Sequence, residues 1–306
     1  MLKDGAVTRV ESNVYYLDSR KVGAHGVSGV YLLVADGVTL IETGTSLTAP
    51  AILEAVQEMG IPEDDIKRAI VTHIHLDHSG AAGWLVKRLP HLTVYVHERG
   101  ARHLEDPSRL IESASMVYGG MDRILAMHGD ILPVPAENLA PITDTEIDIG
   151  DNIRLKTFDA PGHASHHLGI YDEGSGCLFA GEALGHYQPE RDELTPAVAP
   201  PGFSYEDSLA TIEKIKDLNA RTVCFSQFGF SRDPATVIQT AEEQIRMYYD
   251  LTGKMFEDGL SANEVIKEIA NNYLEFGPDQ EISPGSNLQS IVLGYQVYFQ
   301  RREATK

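Results

Sequence analysis

Four candidate metal ligands fall inside one short stretch, Thr72-His73-Ile74-His75-Leu76-Asp77-His78-Ser79-Gly80, directly after the apolar run Ala69-Ile70-Val71. A helix-like segment over residues 81–89 follows at once. A strand that feeds a tight, ligand-rich turn and then a helix presents side chains at the strand's carboxyl end, where open α/β sheets place their ligands. Imidazole and carboxylate at this density suit zinc, iron or manganese and suit neither calcium nor magnesium. A polar loop that happens to hold three histidines is the alternative, and the rest of the chain argues against it.

Two opening hairpins are expected, one from strands at 7–10 and 14–18, the other from 30–35 and 38–41 around Asp36-Gly37. Thr48-Ala49-Pro50 opens a helix that runs to about Met59, with Gly60 at its end. Strands at 69–72 and 93–96 flank the histidine turn and its helix. Residues 97–129 read as helical, with Pro107-Ser108 starting a second segment, so this insert of about 98–129 can form a pocket wall. Strands follow at 153–159, 168–171 and 177–180, then a helix at 206–218 and a buried strand at 222–225. Beyond Asp233-Pro234 the pattern is helical over 235–251, 261–273 and 287–300, broken at Gly259 and at Phe276-Gly277-Pro278. Mixed sheets covered by outer helices account for this order. The expected organisation is an α/β domain over 1–234 and a helical C-terminal extension, 235–306, packed on it.

Two further clusters sit at strand ends. Asp159-Ala160-Pro161-Gly162-His163-Ala164-Ser165-His166-His167 follows one strand, and Gly181-Glu182 follows another. His, His and Glu at three strand tips imply convergence on one metal centre.

With those residues in hand, the chain resembles the metallo-β-lactamase superfamily. The resemblance rests on H-x-H-x-D-H at His73, His75, Asp77 and His78, on Pro161-Gly162-His163, and on the Gly-acid pair at Gly181-Glu182. It implies an αββα sandwich of two mixed β-sheets with metals at the sheet edge. By the same resemblance His73, His75 and His163 hold a first metal, Asp77 and His78 hold a second, and Glu182 bridges them. Two positions depart from the family pattern. The bridging residue is usually aspartate, and Glu182 is one methylene longer. A histidine is expected after the late strand 222–225, where this chain has Gln227, and a neutral amide oxygen is a poor zinc ligand beside imidazole. The second metal is therefore expected to bind more weakly than the first.

The implied chemistry is attack on a small ester, thioester, lactone or phosphodiester by hydroxide that the metal supplies at neutral pH. Asp77 would orient that hydroxide and carry a proton. One or two zinc ions are the expected cofactor, with iron or manganese as alternatives. An iron oxidoreductase of the same fold and a non-catalytic metal binder with a degraded second site stay open as other classes. His186, Tyr187 and Tyr118 are candidate pocket residues. Glu42, His166 and His167 are candidate supports for the ligands. His25, His91, His97, His103 and His128 read as surface or packing residues.

Composition narrows the partners. The 306 residues carry a net charge of −20, which repels nucleic acid and anionic lipid, so a small-molecule substrate is expected. A homodimer is compatible with the sequence. Cys177 and Cys224 lie in apolar runs and read as buried thiols. The polar N-terminus lacks a signal-like apolar segment, and no apolar stretch reaches membrane-spanning length, so a cytoplasmic protein is expected.

Overall fold

The computed structural model describes residues 7–19, 26–189, 191, 193–272 and 287–304. His25 and the break at Phe276-Gly277-Pro278 lie outside the described residues.

Turn chemistry sets the first half. β1 (Val7–Arg9), β2 (Val14–Asp18), β3 (Gly29–Ala35) and β4 (Gly37–Ile41) pair antiparallel in sequence order. Pairing then turns parallel through β5 (Ile66–Ile70), β6 (Thr93–His97) and β7 (Leu139–Ile142), because helices now carry the crossovers. These helices are α1 (Ala49–Glu58), the single turn α2 (Leu76–Ser79), α3 (Ala82–Arg88), α4 (Glu98–Glu105), α5 (Ser108–Tyr118) and α6 (Met121–His128).

The second sheet contains β8 (Thr145–Gly150), β9 (Ile153–Asp159), β10 (Leu168–Asp172) and β11 (Cys177–Gly181). A small hairpin, β12 (His186–Gln188) with β13 (Glu193–Thr195), leads to α7 (Tyr205–Lys216). β14 (Thr222–Phe225) then joins β11 in parallel, and β15 (Phe230–Ser231) completes the order β15-β14-β11-β10-β9-β8. Three helices end the described chain: α8 (Pro234–Glu257), α9 (Ala262–Asn272) and α10 (Asn287–Ala304).

Side-chain alternation builds the layers. In β3, Val30 and Leu32 face α1 and α3, while Tyr31 and Leu33 face the other sheet. In β11, Cys177 and Phe179 point between the sheets, and Leu178 and Ala180 point toward α7 and α8. Both faces of each sheet are thus covered, which is why these strands read as unbroken apolar runs. The result is the expected αββα sandwich. α8, α9 and α10 share a further core with Val198 and Phe203, while Val237, Ile238, Ala241 and Ile245 of α8 belong to the core beneath β14. Both cysteines are free and buried. No helix among the described residues is long and apolar enough to cross a membrane.

Five described strands fall where the sequence pattern predicts none: β7, β8, β12, β13 and β15. β7 contains Pro141 and β8 alternates Glu146 and Asp148 with Ile147 and Ile149. Both lie at sheet edges, where a proline costs no ladder bond and acids on the open face are tolerated. α8 also runs to Glu257, past the expected end at 251, because Thr252 and Met255 continue its buried stripe.

One contact ties the sheets together beside the ligand loops. The Tyr31 hydroxyl, fully buried, needs a polar partner. It lies 3.0 Å from the Phe225 carbonyl and 2.5 Å from that of Gly229, and Gly29 N–H donates to Ser226 O at 3.0 Å. The segment carrying Ser226 and Gln227 is therefore pinned to β3.

Candidate metal centre

The ligand candidates converge from the ends of β5, β9, β11 and β14. His73, His75, His163 and Glu182 offer ligand atoms within 4.8 Å of one another, as do Glu42, His73 and His78. His75 Nδ1 lies 3.0 Å from His73 Nε2 and 3.0 Å from His163 Nε2. Ligands about 2.0–2.1 Å from a tetrahedral zinc stand roughly 3.4 Å apart, so this spacing fits a single cation between the rings.

The far side of each ring fixes which nitrogen faces the cluster. Thr72 Oγ1 donates to Glu42 Oε1 at 2.5 Å and so accepts from His73 Nδ1–H at 3.0 Å. That leaves His73 Nε2 as a lone pair aimed inward. His163 Nδ1–H donates to the Ala197 carbonyl at 2.9 Å, turning its Nε2 inward. His78 Nδ1 lies 3.2 Å from Glu42 Oε1, while its buried Nε2 has no hydrogen-bond partner. The nearest carboxylate oxygens to that nitrogen are Asp77 Oδ2 at 3.6 Å and Glu182 Oε2 at 3.8 Å. A buried orphan nitrogen facing two carboxylates is a place for a cation.

Glu182 sits at the centre. Its Oε2 is 2.6 Å from His163 Nε2 and 3.3 Å from His73 Nε2, and its Oε1 is 2.6 Å from His186 Nε2. Burial pushes this carboxyl up, but His163 and His186 outweigh burial and hold it well below its ordinary value. Burial pulls His163 down, yet the Glu182 charge and hydrogen bond raise it. His75 is driven down to about 3, by burial first and then by His163. Burial also lowers His78, but Asp77, Glu42 and Glu182 raise it to about 9.

Local backbone geometry allows the close approach. A Cβ at Gly181, whose φ is +56°, would stand 2.6 Å from His167 Nε2 and 2.7 Å from Thr72 Oγ1. At Gly162, φ +141°, it would meet Ser208 Cα at 2.6 Å. Only glycine fits these two turns.

The other candidates separate clearly. Glu42, 1% exposed, accepts from Thr72 and Ser226 and holds His78, a support for both ligand groups. Gln227 Nε2 donates to Asp77 Oδ2 at 2.5 Å. His167 Nε2 accepts from the Glu182 backbone N–H at 3.1 Å. His166 lies outside the ligand ring, with its ring centre 6.1 Å from that of His75. His186 reaches the cluster, but the neighbouring Tyr187 does not form the expected pocket wall. Its ring stacks on Phe225 at 5.0 Å in the core, because successive strand residues face opposite ways. Tyr118 packs near His128 with ring centres 5.8 Å apart. Burial raises its hydroxyl first, and the charges of Asp77 and Glu182 add to this. His97 and His128 are buried, and His97 Nε2 is 3.1 Å from Asp159 Oδ1.

Sequence reasoning missed Thr72, Ser226 and the Ala197 carbonyl as orienting groups. Thr72 and Ser226 adjoin His73 and Gln227, so adjacency alone could have marked them. Nothing in the sequence marks a backbone carbonyl.

An αββα sandwich with a histidine–carboxylate cluster at its strand ends defines a class of metal-binding proteins. Residues 24–227 match the model of the metallo-beta-lactamase superfamily, and the chain belongs to that family. It is 24% identical over 175 residues to a probable metallo-hydrolase of Methanocaldococcus jannaschii, covering 57% of this chain and 76% of that one. It is 27% identical over 149 residues to the uncharacterized protein YobT of Bacillus subtilis. That match covers 48% of this chain and spans 57% of YobT. Two solved structures share the fold. The metallo-beta-lactamase family protein of Thermus thermophilus has a TM-score of 0.65 at 22% identity, covering 90% of this chain and 89% of that one. The archaeal metallo-beta-lactamase superfamily protein of Sulfolobus tokodaii has a TM-score of 0.62 at 19% identity, covering 90% and 93%.

Proposed function

We propose that the protein is a metal-dependent hydrolase of a small ester, thioester, lactone or phosphodiester. The observation that carries this reading is the set of three imidazole nitrogens spaced at 3.0 Å, with Glu182 against them. A matching donor set, three histidines with an open fourth position, is the pattern of catalytic rather than structural zinc. A bound cation would supply Lewis acidity, acidifying water and polarising the scissile carbonyl or phosphoryl group.

The chain's own residues do the rest. His73, His75 and His163 would hold the cation, and the Thr72–Glu42 pair and the Ala197 carbonyl keep two of those rings in one orientation. Glu182 joins this trio to Asp77 and His78. Asp77 retains 14% side-chain exposure beside the buried His78, so its carboxylate can meet a substrate. With Oδ2 fixed by Gln227, it accepts a proton from attacking water and returns it to the leaving group.

Asp77→Asn tests this division of labour, since asparagine keeps the shape and an oxygen for Gln227. The expected result is a fall in kcat of about 100-fold or more, with the metal content of the histidine trio retained. Full activity in this variant would remove Asp77 from the mechanism. Elemental analysis of the purified protein, with an oxygen-uptake assay, separates hydrolysis from iron redox chemistry.

A further inference from the structure

A cleft of about 570 Å³ opens beside the metal cluster, within the range of small-molecule sites. Ile74, which stands between the ligands His73 and His75, lines it together with His166 and Ser165 of the second ligand loop. Its opposite wall comes from α4 and α5, which contribute Arg99, Arg102 and Arg109.

Three arginines thus gather on one wall of a chain in which Asp and Glu number 45 against 25 Lys and Arg. Arg88, Arg154 and Arg246 each pair with an acid elsewhere; among the described residues, no ion pair joins Arg99, Arg102 or Arg109 to any acid. Arg99 donates to the Ser165 carbonyl at 2.7 Å, and Arg102 Nε donates to His103 Nε2 at 3.2 Å. The nearby Asp106 is turned toward Ser108, accepting from its N–H at 3.1 Å and its hydroxyl at 2.5 Å. Glu98 also lines the cleft, on the first turn of α4, and is the one acid to do so among the described residues. His103, in the same wall, is held below its ordinary value by burial first and then by Arg102 and Arg109. The cleft is therefore locally positive on a chain whose overall charge is strongly negative.

We propose that the cleft is an oxyanion subsite for the substrate. It would hold a carboxylate or phosphate of a small molecule whose scissile bond lies at the histidine cluster. Guanidinium forks match both groups through paired N–H donors, whereas the general surface would repel them. Arg99 is preorganised by the carbonyl of the loop that also bears His163, so the anion and the reacting bond are referenced to one segment. Arg102 and Arg109 stand on separate helices and converge from the far wall. This assignment rests on the hydrolase reading only for the position of the scissile bond.

The experiment has two arms and compares the purified full chain with the double variant Arg102→Gln/Arg109→Gln. Both positions are exposed, and unchanged circular dichroism checks the fold. In the first arm, inorganic phosphate and succinate are titrated by calorimetry. The wild type is expected to bind at least one of them, and the variant at least tenfold more weakly. Binding to phosphate alone identifies a phosphate-bearing substrate, and binding to succinate alone a carboxylate. No binding to either, or equal binding by the variant, overturns the subsite. In the second arm, kcat/KM is measured on an anionic p-nitrophenyl hemisuccinate and on neutral p-nitrophenyl acetate. The anionic-to-neutral ratio is expected to fall at least tenfold in the variant, through KM. An unchanged ratio with measurable turnover overturns the link to substrate. Absence of turnover on both esters, with anion binding lost in the variant, removes the ester from the proposed substrates and leaves the anion site standing.

Discussion

The two halves of the metal cluster share Glu182 but are held in place by different means. On one side, His73 and His163 are aimed by a hydroxyl and a backbone carbonyl, neutral groups that leave the rings poised as ligands. On the other, His78 is tied to the buried carboxylate of Glu42, and Asp77 is engaged by the neutral amide of Gln227. Contacts in the first half run from 2.6 to 3.3 Å, whereas His78 Nε2 stands 3.6 and 3.8 Å from its carboxylates. The first half already has the spacing of a bound cation. The second is looser, and the position expected to supply a histidine supplies a hydrogen-bond donor instead. The difference teaches that one sequence motif can build two donor groups held at unequal spacing by unlike supports.

The largest effect should come from removing all metal. Stripping the protein with a chelator removes the binding free energy that favours the folded state, about 4 kcal/mol when free metal stands 1,000-fold above its dissociation constant. The thermal midpoint should fall on the order of 10 °C and recover when zinc is restored. No shift on chelation would mean that the cluster holds no tightly bound ion in either half.

Next in size is His163→Ala, which deletes a ligand from the tighter half alone. Changing a group that merely orients a ligand costs about 10–100-fold in metal affinity, so losing the ligand itself should exceed about 100-fold. Metal content after dialysis should drop below one equivalent per chain. If the protein instead kept one tight equivalent, the Asp77–His78 half would be the stronger site and the comparison would reverse.

Glu42→Gln probes a supporting carboxylate that reaches both halves from behind the ligands. It contacts Thr72, behind His73, and His78 directly. Glutamine keeps one oxygen for the Thr72 and Ser226 hydroxyls but loses the acceptor for the Thr72 N–H and the charge that faces His78. Affinity is expected to fall about 10–100-fold at the second half and by less at the first. Equal losses at both halves would show that Glu42 acts mainly through Thr72.

Much of this site is legible in the sequence alone. His73, His75, Asp77, His78 and His163 carry their chemistry in side chains at fixed offsets from apolar strands, so identity and spacing suffice. Glu42 was readable only through the family resemblance, at a position where an acid is expected. The Ala197 anchor was not, because a backbone carbonyl looks the same at every residue. Tyr187 was misplaced by a neighbour argument that ignores strand alternation: His186 faces the cluster, so the next ring faces the core. The arginine cleft was invisible because its members sit on two helices separated by Pro107. Their convergence depends on how α4 and α5 pack, and local periodicity does not encode that. β7 and β8 were hidden by the very residues that suit a sheet edge, Pro141 in one and alternating acids in the other.

The smallest expected effect is also the sharpest test of the asymmetry. Gln227 now donates to Asp77 Oδ2, competing with any cation for that oxygen. Gln227→His would replace the donor with an imidazole nitrogen able to ligate, and would free the carboxylate. Among divalent first-row metals, zinc favours imidazole over a neutral amide. The second equivalent is therefore expected to tighten about tenfold, roughly 1.4 kcal/mol, while the first changes little. Competition titration of the metal-free variant against a chromophoric chelator resolves the two steps. Tightening confined to the second step would place residue 227 at that half. An unchanged second step would mean that the histidine at 227 cannot reach the ion, and the looseness of this half would then have to come from the 3.6–3.8 Å spacing around His78 rather than from the missing imidazole.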